Sequence, residues 1–453
     1  MRRGKFKILF YFVILVCLVF GIYMFLNSKL FERNAPKIEI EDIIYSNLKT
    51  PLPVYIKDDS GIKFVEISLY DGNNKTTIYN ENFTVIAPEQ RFELTFPKGM
   101  MVNKNANYEI EIKATDNSKW NFTMGNTSIK RAKIIIDNKK PFVEVIGKSY
   151  KISKGGSAVV VFKANDEMLK DVYIKTNYGK NFIPVKFIKD GFYASLVAWP
   201  ANQNEFSADI VAVDVAGNES VSRIRYFYQD RNYKISNIKL NENFINGKVS
   251  DLADTYAQNS DELKGVDKFK FVNETLRGKN EELIYSFSSK VPETELSNFK
   301  ISPFYPLKNA AAVASFGDHR IYSWEDNQIS ESWHLGLDLA SVANAEIINS
   351  NDGVVVFSGE NGIYGLNIGV YYGFGLYAIY GHCSASNFTE GTQIKAGEIL
   401  GKTGSSGFAF GDHLHFGVLV QGVEVRPEEW MDEKWMKENI YDILENSKEM
   451  IRN

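Results

Sequence analysis

Four of the chain's five histidines fall in three short motifs of its last third: His334 with Asp338 in HLGLD, His382 in YGH, and His413 with His415 in HLH. This clustering constrains the fold most, because distant segments can build one site only if folding brings them together. The spacing suits β-strands. In Trp333-His334-Leu335-Gly336-Leu337-Asp338-Leu339 side chains alternate between faces, which sets His334, Gly336 and Asp338 on one face and the leucines on the other. His334 and Asp338 then point into a cleft and Leu335, Leu337 and Leu339 into a core. The same alternation sets His413 and His415 opposite Leu414 and Phe416. A catalytic zinc takes three protein ligands from His nitrogen or carboxylate oxygen and leaves its fourth position to water. Two His, one Asp and two further His fit that count and point to metal-assisted hydrolysis.

A histidine taken alone is more often an ordinary satisfied residue, and His319 keeps that reading. The other four do not, since histidine is scarce here and each motif has nearby glycine. No HExxH helix is present to supply a glutamate base. Cys383 beside His382 is no nucleophile partner, because adjacent strand residues face opposite ways; it reads as a small core residue.

Residues 316–430 carry, in order, FGDHR, HLGLDLAS, DGVVVFSG, GIYG, YGH, GTQIKAGEILG and TGSSGFAFGDHLHFGV. On these motifs the chain resembles the lysostaphin-like peptidoglycan metalloendopeptidases, whose catalytic module is called a LytM domain. The resemblance implies that His334, Asp338 and His415 bind Zn²⁺ and that His382 and His413 form the catalytic pair. One of that pair takes the proton of water and the other stabilises the oxyanion or protonates the leaving amine, and the order between them stays open. Two positions depart from the family pattern: Gly417 stands where Glu is usual, and Trp333 precedes the first ligand in place of a smaller or polar residue. Neither removes a ligand. The glycine-rich segment 404–412 reads as a loop lining the substrate groove.

The chain has 453 residues, enough for about three domains, and its net charge of −4 offers no basic field for nucleic acid. With only Cys17 and Cys383, a disulfide framework is excluded. Residues 8–26 are apolar and uncharged, long enough to cross a bilayer as a helix. Arg2, Arg3, Lys5 and Lys7 precede them, which keeps residues 1–7 cytoplasmic and exports the chain beyond residue 26. An uncleaved single-span anchor in the inner (cytoplasmic) membrane, with a periplasmic catalytic module, is the expectation; a cleaved signal peptide is its alternative.

Between anchor and catalytic module the alternating run Tyr108-Ile110-Ile112-Ala114-Asp116 returns about a hundred residues later as Phe206-Ala208-Ile210-Ala212-Asp214, and Pro36-x-Ile38-Glu39-Ile40 as Pro141-x-Val143-Glu144-Val145. Such a period predicts two tandem Ig-like β-sandwiches, at 36–137 and 141–232, serving as spacers or binding cell-wall or cell-shape proteins. Residues 233–303 change period. Ile245, Val249, Leu252 and Tyr256 share one helical face, as do Val266, Phe269, Val272 and Leu276, and Gly278 and Pro292 then break the pattern. This helical connector packs on a neighbouring module or lies over the groove, with Asn309 or a neighbour approaching the metal's open position. The expected protein is mainly β: a transmembrane helix, two Ig-like sandwiches, the connector, an antiparallel LytM-type peptidase domain at 304–432, and a C-terminal helix at 433–453 packing on it. Its expected activity is zinc-dependent cleavage of peptide cross-links in bacterial peptidoglycan. The alternative is a catalytically inactive regulator or scaffold that activates another hydrolase.

Overall fold

The computed structural model describes residues 2–72, 74–96 and 108–453. Met1 of the expected cytoplasmic tail, Asn73 and residues 97–107 of the first expected β domain lie outside the described residues. Strands hold 45% of the chain and helices 21%, so the fold is mainly β. It divides into two compact units. One comprises Met1–Lys140, Met168–Lys170 and Val213–Glu219; the other comprises Pro141–Glu167, Asp171–Ala212 and Ser220–Asn453.

The first unit opens with helix Arg2–Leu26. Its segment Ile8–Phe25 is the one helix among the described residues long and apolar enough to cross a membrane, and none of it is buried. A helix satisfies all its backbone polar groups internally, which suits it to a hydrocarbon environment. Next comes a six-stranded sheet centred on Leu52–Asp71, which pairs with Asn74–Leu94 on one side and Tyr108–Asp116 on the other. The described strands of this unit form one hydrogen-bonded sheet. A register shift between Ile62 and Phe64 changes which face is buried: Val54, Ile56 and Ile62 lie inward before it, Val65, Ile67 and Leu69 after it. One extra residue in a ladder inverts the alternation, so one long strand can serve a core that wraps around it. The expected repeat has a local counterpart in the strand ends. The Asp116 carboxylate accepts from the backbone N–H of Ser118 and Asn126 at 3.0 and 2.8 Å. Asp214 accepts from that of Asn218 at 2.8 Å.

In the second unit a five-stranded sheet is built around Ser157–Asn165 and Lys189–Ala198. Val159, Val160, Val161 and Phe162 are all fully buried, so this central strand is covered on both faces. The largest sheet has eight strands, and its core order is Ala311–Ala314, Leu337–Ala340, Leu414–Val420, Leu376–Cys383, Leu366–Tyr371 and Gly353–Glu360, antiparallel throughout. Hairpin Asp318–Trp324 and Asn327–His334 stands beside it in a separate sheet.

The connector is only partly helical. Ile235–Lys239 is a strand that adds in parallel to Asp318–Trp324, because that hairpin offers an unpaired edge. The helices begin after Asn241, whose side chain caps Phe244 N–H at 2.9 Å. Ile245, Val249, Leu252, Phe269, Val272 and Leu276 are buried as the periodicity predicts; Tyr256 remains 38% exposed. Their cluster includes Tyr364, Tyr371, Tyr377, Ile379 and Leu419, which assigns the apolar stripe to the large sheet. Gly278 does not end the helical run, which begins at Val266 and continues through Ser288. Glycine costs about 1 kcal/mol in a helix interior. Burial of Ile284 and Phe287 further along the same helix outweighs that cost.

The C-terminal segment also departs from expectation. Helix Asp442–Arg452 lies against the five-stranded sheet rather than on the peptidase module alone: Ser149 Oγ donates to Asn439 O at 2.7 Å, and Ser447 sits over Gly147. The helix buries Leu444, Ser447 and Ile451 and packs on strands Phe142–Lys148 and Ser157–Asn165. Glu429, in the preceding short helix Pro427–Trp430, is buried and accepts from Ser157 N–H at 3.0 Å. Burial pushes its carboxyl from 4.5 up to about 7, against the opposing effects of that hydrogen bond and of Arg426 and Arg231. A folded-state pKa above the unfolded value favours the fold below pH 4.5 and loses that contribution as pH rises through about 7. Glu429→Gln should therefore flatten the fall in stability between pH 4.5 and 7.5, an effect on the order of 3 kcal/mol at 1.36 kcal/mol per pK unit. Urea unfolding midpoints of both proteins across that range check it, and parallel pH profiles would contradict the assignment.

Candidate active site

His334 ends strand Asn327–His334, the chain bends at Leu335-Gly336, and Asp338 lies in strand Leu337–Ala340 of the large sheet. HLGLD is therefore a corner between two sheets and not a single strand. The bend turns Leu335, expected in the core, into the wall of the cavity, while Leu337 and Leu339 stay buried. Asp338 pairs directly with His415 in the neighbouring strand, and Gly381 pairs with His415 from the other side, so the three motifs meet on adjacent strands.

Three ligand-type atoms converge there. His334 Nε2 lies 3.0 Å from Asp338 Oδ1, His415 Nδ1 lies 2.9 Å from the same oxygen, and the two nitrogens are 3.2 Å apart. Bonds of about 2.0–2.1 Å in a tetrahedron hold ligand atoms about 3.3 Å apart. The donor set fits a zinc ion in both chemistry and spacing. Burial works to raise the Asp338 carboxyl, but the His334 and His415 contacts outweigh it and hold the group well below the usual carboxylate range. His334 Nδ1 lies 2.9 Å from Ser315 O; a carbonyl only accepts, so Nδ1 carries the hydrogen and Nε2 is left with its lone pair. Gly336 is required at the corner: a Cβ there would lie 2.4 Å from His415 Cε1.

His382 and His413 stand beside this triad with ring centroids 4.8 Å apart. His382 Nδ1 donates to Ser406 O at 2.9 Å, which frees its Nε2, and His413 Nδ1 donates to Gly411 O at 2.8 Å, which leaves its Nε2 facing Asp338 Oδ2 at 3.8 Å. Burial, reinforced by the His415 and His413 imidazoles, pushes the His382 pKa down to about 3. His382 also has φ of +61°, a left-handed backbone uncommon outside glycine. It turns the end of strand Leu376–Cys383 so that His382 reaches the cavity.

All five motif residues line one cavity of about 630 Å³. Segment 404–412 forms a wall of it through Phe408, Ala409 and Phe410, as expected of a groove loop. His319 stays out of the cluster; it stacks on Trp333 at 4.5 Å and contacts Glu331 at 3.2 Å. Cys383 is buried and free, and burial pushes its thiol up to about 12, an inert core residue. Gly417 has a packing reason: a Cβ there would lie 2.7 Å from Ile379 Cγ1. Asn309 occupies an exposed turn and is not among the cavity residues, so it does not approach the triad. The connector forms a side wall, through Ile238, Phe244 and Arg277. Phe244 packs on Phe410 at 5.0 Å and on Phe408 at 6.1 Å. Sequence reasoning passed over Tyr364, whose buried ring lies 5.4 Å from that of His415, and the orienting carbonyls of Ser315, Ser406 and Gly411. A backbone carbonyl has no sequence signature; the GIYG motif was the available hint for Tyr364.

Comparison with known proteins places peptidase family M23 on residues 332–427. The chain is 32% identical over 108 residues to the DD-carboxypeptidase/endopeptidase Mpg of Neisseria meningitidis serogroup B, covering 23% of this chain and 25% of that protein. It is 29% identical over 96 residues to the murein hydrolase activator EnvC of Escherichia coli, covering 21% and 23%. The match thus spans about a quarter of the length of these curated relatives. Among solved structures, the catalytic domain of lysostaphin from Staphylococcus simulans is 26% identical with a TM-score of 0.24, covering 27% of this chain and 92% of that one.

The close approach at the corner yields a test. Gly336→Ala should displace His415 and weaken Zn²⁺ binding by roughly ten- to a hundredfold, the usual range when ligand support is lost. Competition with a chromophoric chelator measures it; undiminished affinity would show that His415 does not depend on that contact.

Proposed function

Since residues 332–427 form a peptidase family M23 domain, we propose that this chain is a zinc-dependent endopeptidase that hydrolyses peptide cross-links of bacterial peptidoglycan. The observation that carries the reading is the convergence of His334 Nε2, Asp338 Oδ1 and His415 Nδ1 to within 3.2 Å, with a second histidine pair at their side. Those three residues hold the metal. Zinc bound there supplies Lewis acidity and lowers the pKa of water to about 7.

The other roles belong to the chain itself. His382, kept neutral and with Nε2 free, accepts a proton from water. His413, its Nε2 3.8 Å from Asp338 Oδ2, hydrogen-bonds the developing oxyanion or returns the proton to the leaving amine once it has acquired one; the two histidines can exchange these parts. Ser315, Ser406 and Gly411 carbonyls fix the tautomers, and Phe244, Phe408 and Phe410 give the cleft an aromatic wall.

The proposed organisation is a cytoplasmic tail at 1–7, an anchor at 8–26 in the cytoplasmic membrane, Ig-like spacers at 36–137 and 141–232, a connector at 233–303, the peptidase module at 304–432 facing the periplasm, and a terminal helix at 433–453. The exposed apolar segment Ile8–Phe25 supports the anchor. The spacers are surfaces for cell-wall or cell-shape proteins. A second reading is a catalytically inactive regulator, favoured by the similarity to EnvC, whose name is that of a murein hydrolase activator. Retention of all five site residues favours the enzyme.

His334→Ala, Asp338→Ala and His415→Ala should each lose the bound zinc, about one ion per chain in the parent protein, by elemental analysis. His382→Ala and His413→Ala should keep it and lose muropeptide cleavage by a factor on the order of a hundred or more. Mass spectrometry of digested muropeptides reads the activity. A parent protein with full zinc and no cleavage would favour the regulator, and zinc loss in His382→Ala would mean that a ligand has been taken for a catalytic group.

A further inference from the structure

Three cationic side chains line the active-site cavity, Lys234, Arg277 and Arg320, and all lie outside residues 332–427. Arg320 is committed: its Nε donates to Asp318 Oδ2 at 3.4 Å, and Asp318 Oδ1 also accepts from Ser236 Oγ at 2.7 Å. The cavity's other acids are committed as well. Asp338 belongs to the triad, and Asp412 accepts from Thr403 Oγ1 at 2.5 Å and Asn344 N–H at 3.0 Å. Lys234 and Arg277 have no carboxylate oxygen within 4.0 Å among the described residues.

Arg277 is the better placed of these two. It is half-buried at the start of helix Arg277–Ser288, and its Nε and Nη2 donate to Asn273 O and Oδ1 at 3.2 and 3.0 Å. Asn273 is itself buried and locked by donation to Ser330 Oγ and Glu331 O, at 2.8 and 3.1 Å. The guanidinium is thereby held flat against its own helix, and its Nη1–Nη2 edge keeps unused donors. Glu281, one helical turn on, feels the Arg277 charge but stands outside ion-pair distance. A guanidinium held rigid and half out of water, with a free planar edge, suits bidentate recognition of a carboxylate.

We propose that Arg277 is a specificity residue that binds a free carboxylate of the peptide substrate, flanking the scissile amide, with Lys234 adding attraction for the same anion. The proposal rests on the peptidase reading above and deepens it: the connector, not the M23 core, selects anionic peptides.

The test uses the full-length protein, solubilised, and a pair of cross-linked peptides identical except that the flanking carboxylate of one is amidated. The parent should prefer the free acid by roughly ten- to a hundredfold in kcat/KM, the scale of one charge-assisted hydrogen-bond pair. In Arg277→Gln that preference should fall toward one, mainly through a raised KM on the acid, and Arg277→Lys should restore part of it. A structural defect would depress both peptides together and leave their ratio intact, so an unchanged ratio in a folded Arg277→Gln variant overturns the proposal, as does a parent indifferent to amidation. If neither peptide is cut, the peptidase reading fails, and fluorescence titration of the same pair still decides: tighter binding of the acid that vanishes in Arg277→Gln supports the assignment, and equal binding refutes it.

Discussion

One buried carboxylate organises the site. Asp338 is almost fully shielded from water and faces two imidazole nitrogens at 3.0 and 2.9 Å. Taking a carboxylate out of water costs several kcal/mol unless positive charge and hydrogen bonds compensate. Here the compensation must come from protons on the two imidazoles or from a cation shared among all three groups. Everything nearby serves this arrangement. The strand ladder sets Asp338 opposite His415, a corner carries His334 over from another sheet, and Gly336 leaves room for the His415 ring.

The connector joins architecture to chemistry. Its apolar stripe needs a dry partner, and the large sheet with the adjoining helical turn Gly362–Tyr364 provides one rich in tyrosine: Tyr364, Tyr371 and Tyr377. Packing there has a second effect, because Phe244 and Arg277 are carried to the mouth of the cleft and become its wall. The same burial that stabilises the helices thus gives the site features that the strands alone would lack. A strand from the same segment, Ile235–Lys239, closes the edge of the hairpin that ends in His334.

Period-two alternation was legible wherever a run crossed a face once. Tyr108–Asp116 follows it, and so does HLHF, where His413 and His415 line the cavity while Leu414 and Phe416 are buried away from it. It misled where backbone geometry changed inside the run, at the Leu335-Gly336 bend. A bend involves a residue or two, and its cause lies in strands distant in sequence. Helical periodicity found the buried stripe of the connector but stopped too early at Gly278, because local propensity is weaker than the tertiary burial of Phe287 and Ile284. The terminal helix was legible as amphipathic. Its partner was not, since an apolar face records a need for burial without naming what supplies it.

By itself the sequence determined which side chains could do chemistry. Residue type sets ligand affinity and proton affinity, and four scarce histidines with an aspartate in ordered motifs leave few other uses for them. It also determined that residues 8–26 would be a helix wanting an apolar environment. Only the tertiary structure decided how those side chains present themselves. It selected Nε2 of His334 and Nδ1 of His415, through a carbonyl 2.9 Å from one ring and strand pairing at the other. It set the left-handed turn at His382 and recruited Arg277 to the cleft. Ring orientation and backbone carbonyl positions are set by packing between distant segments, and neither is encoded in the identity of any one residue.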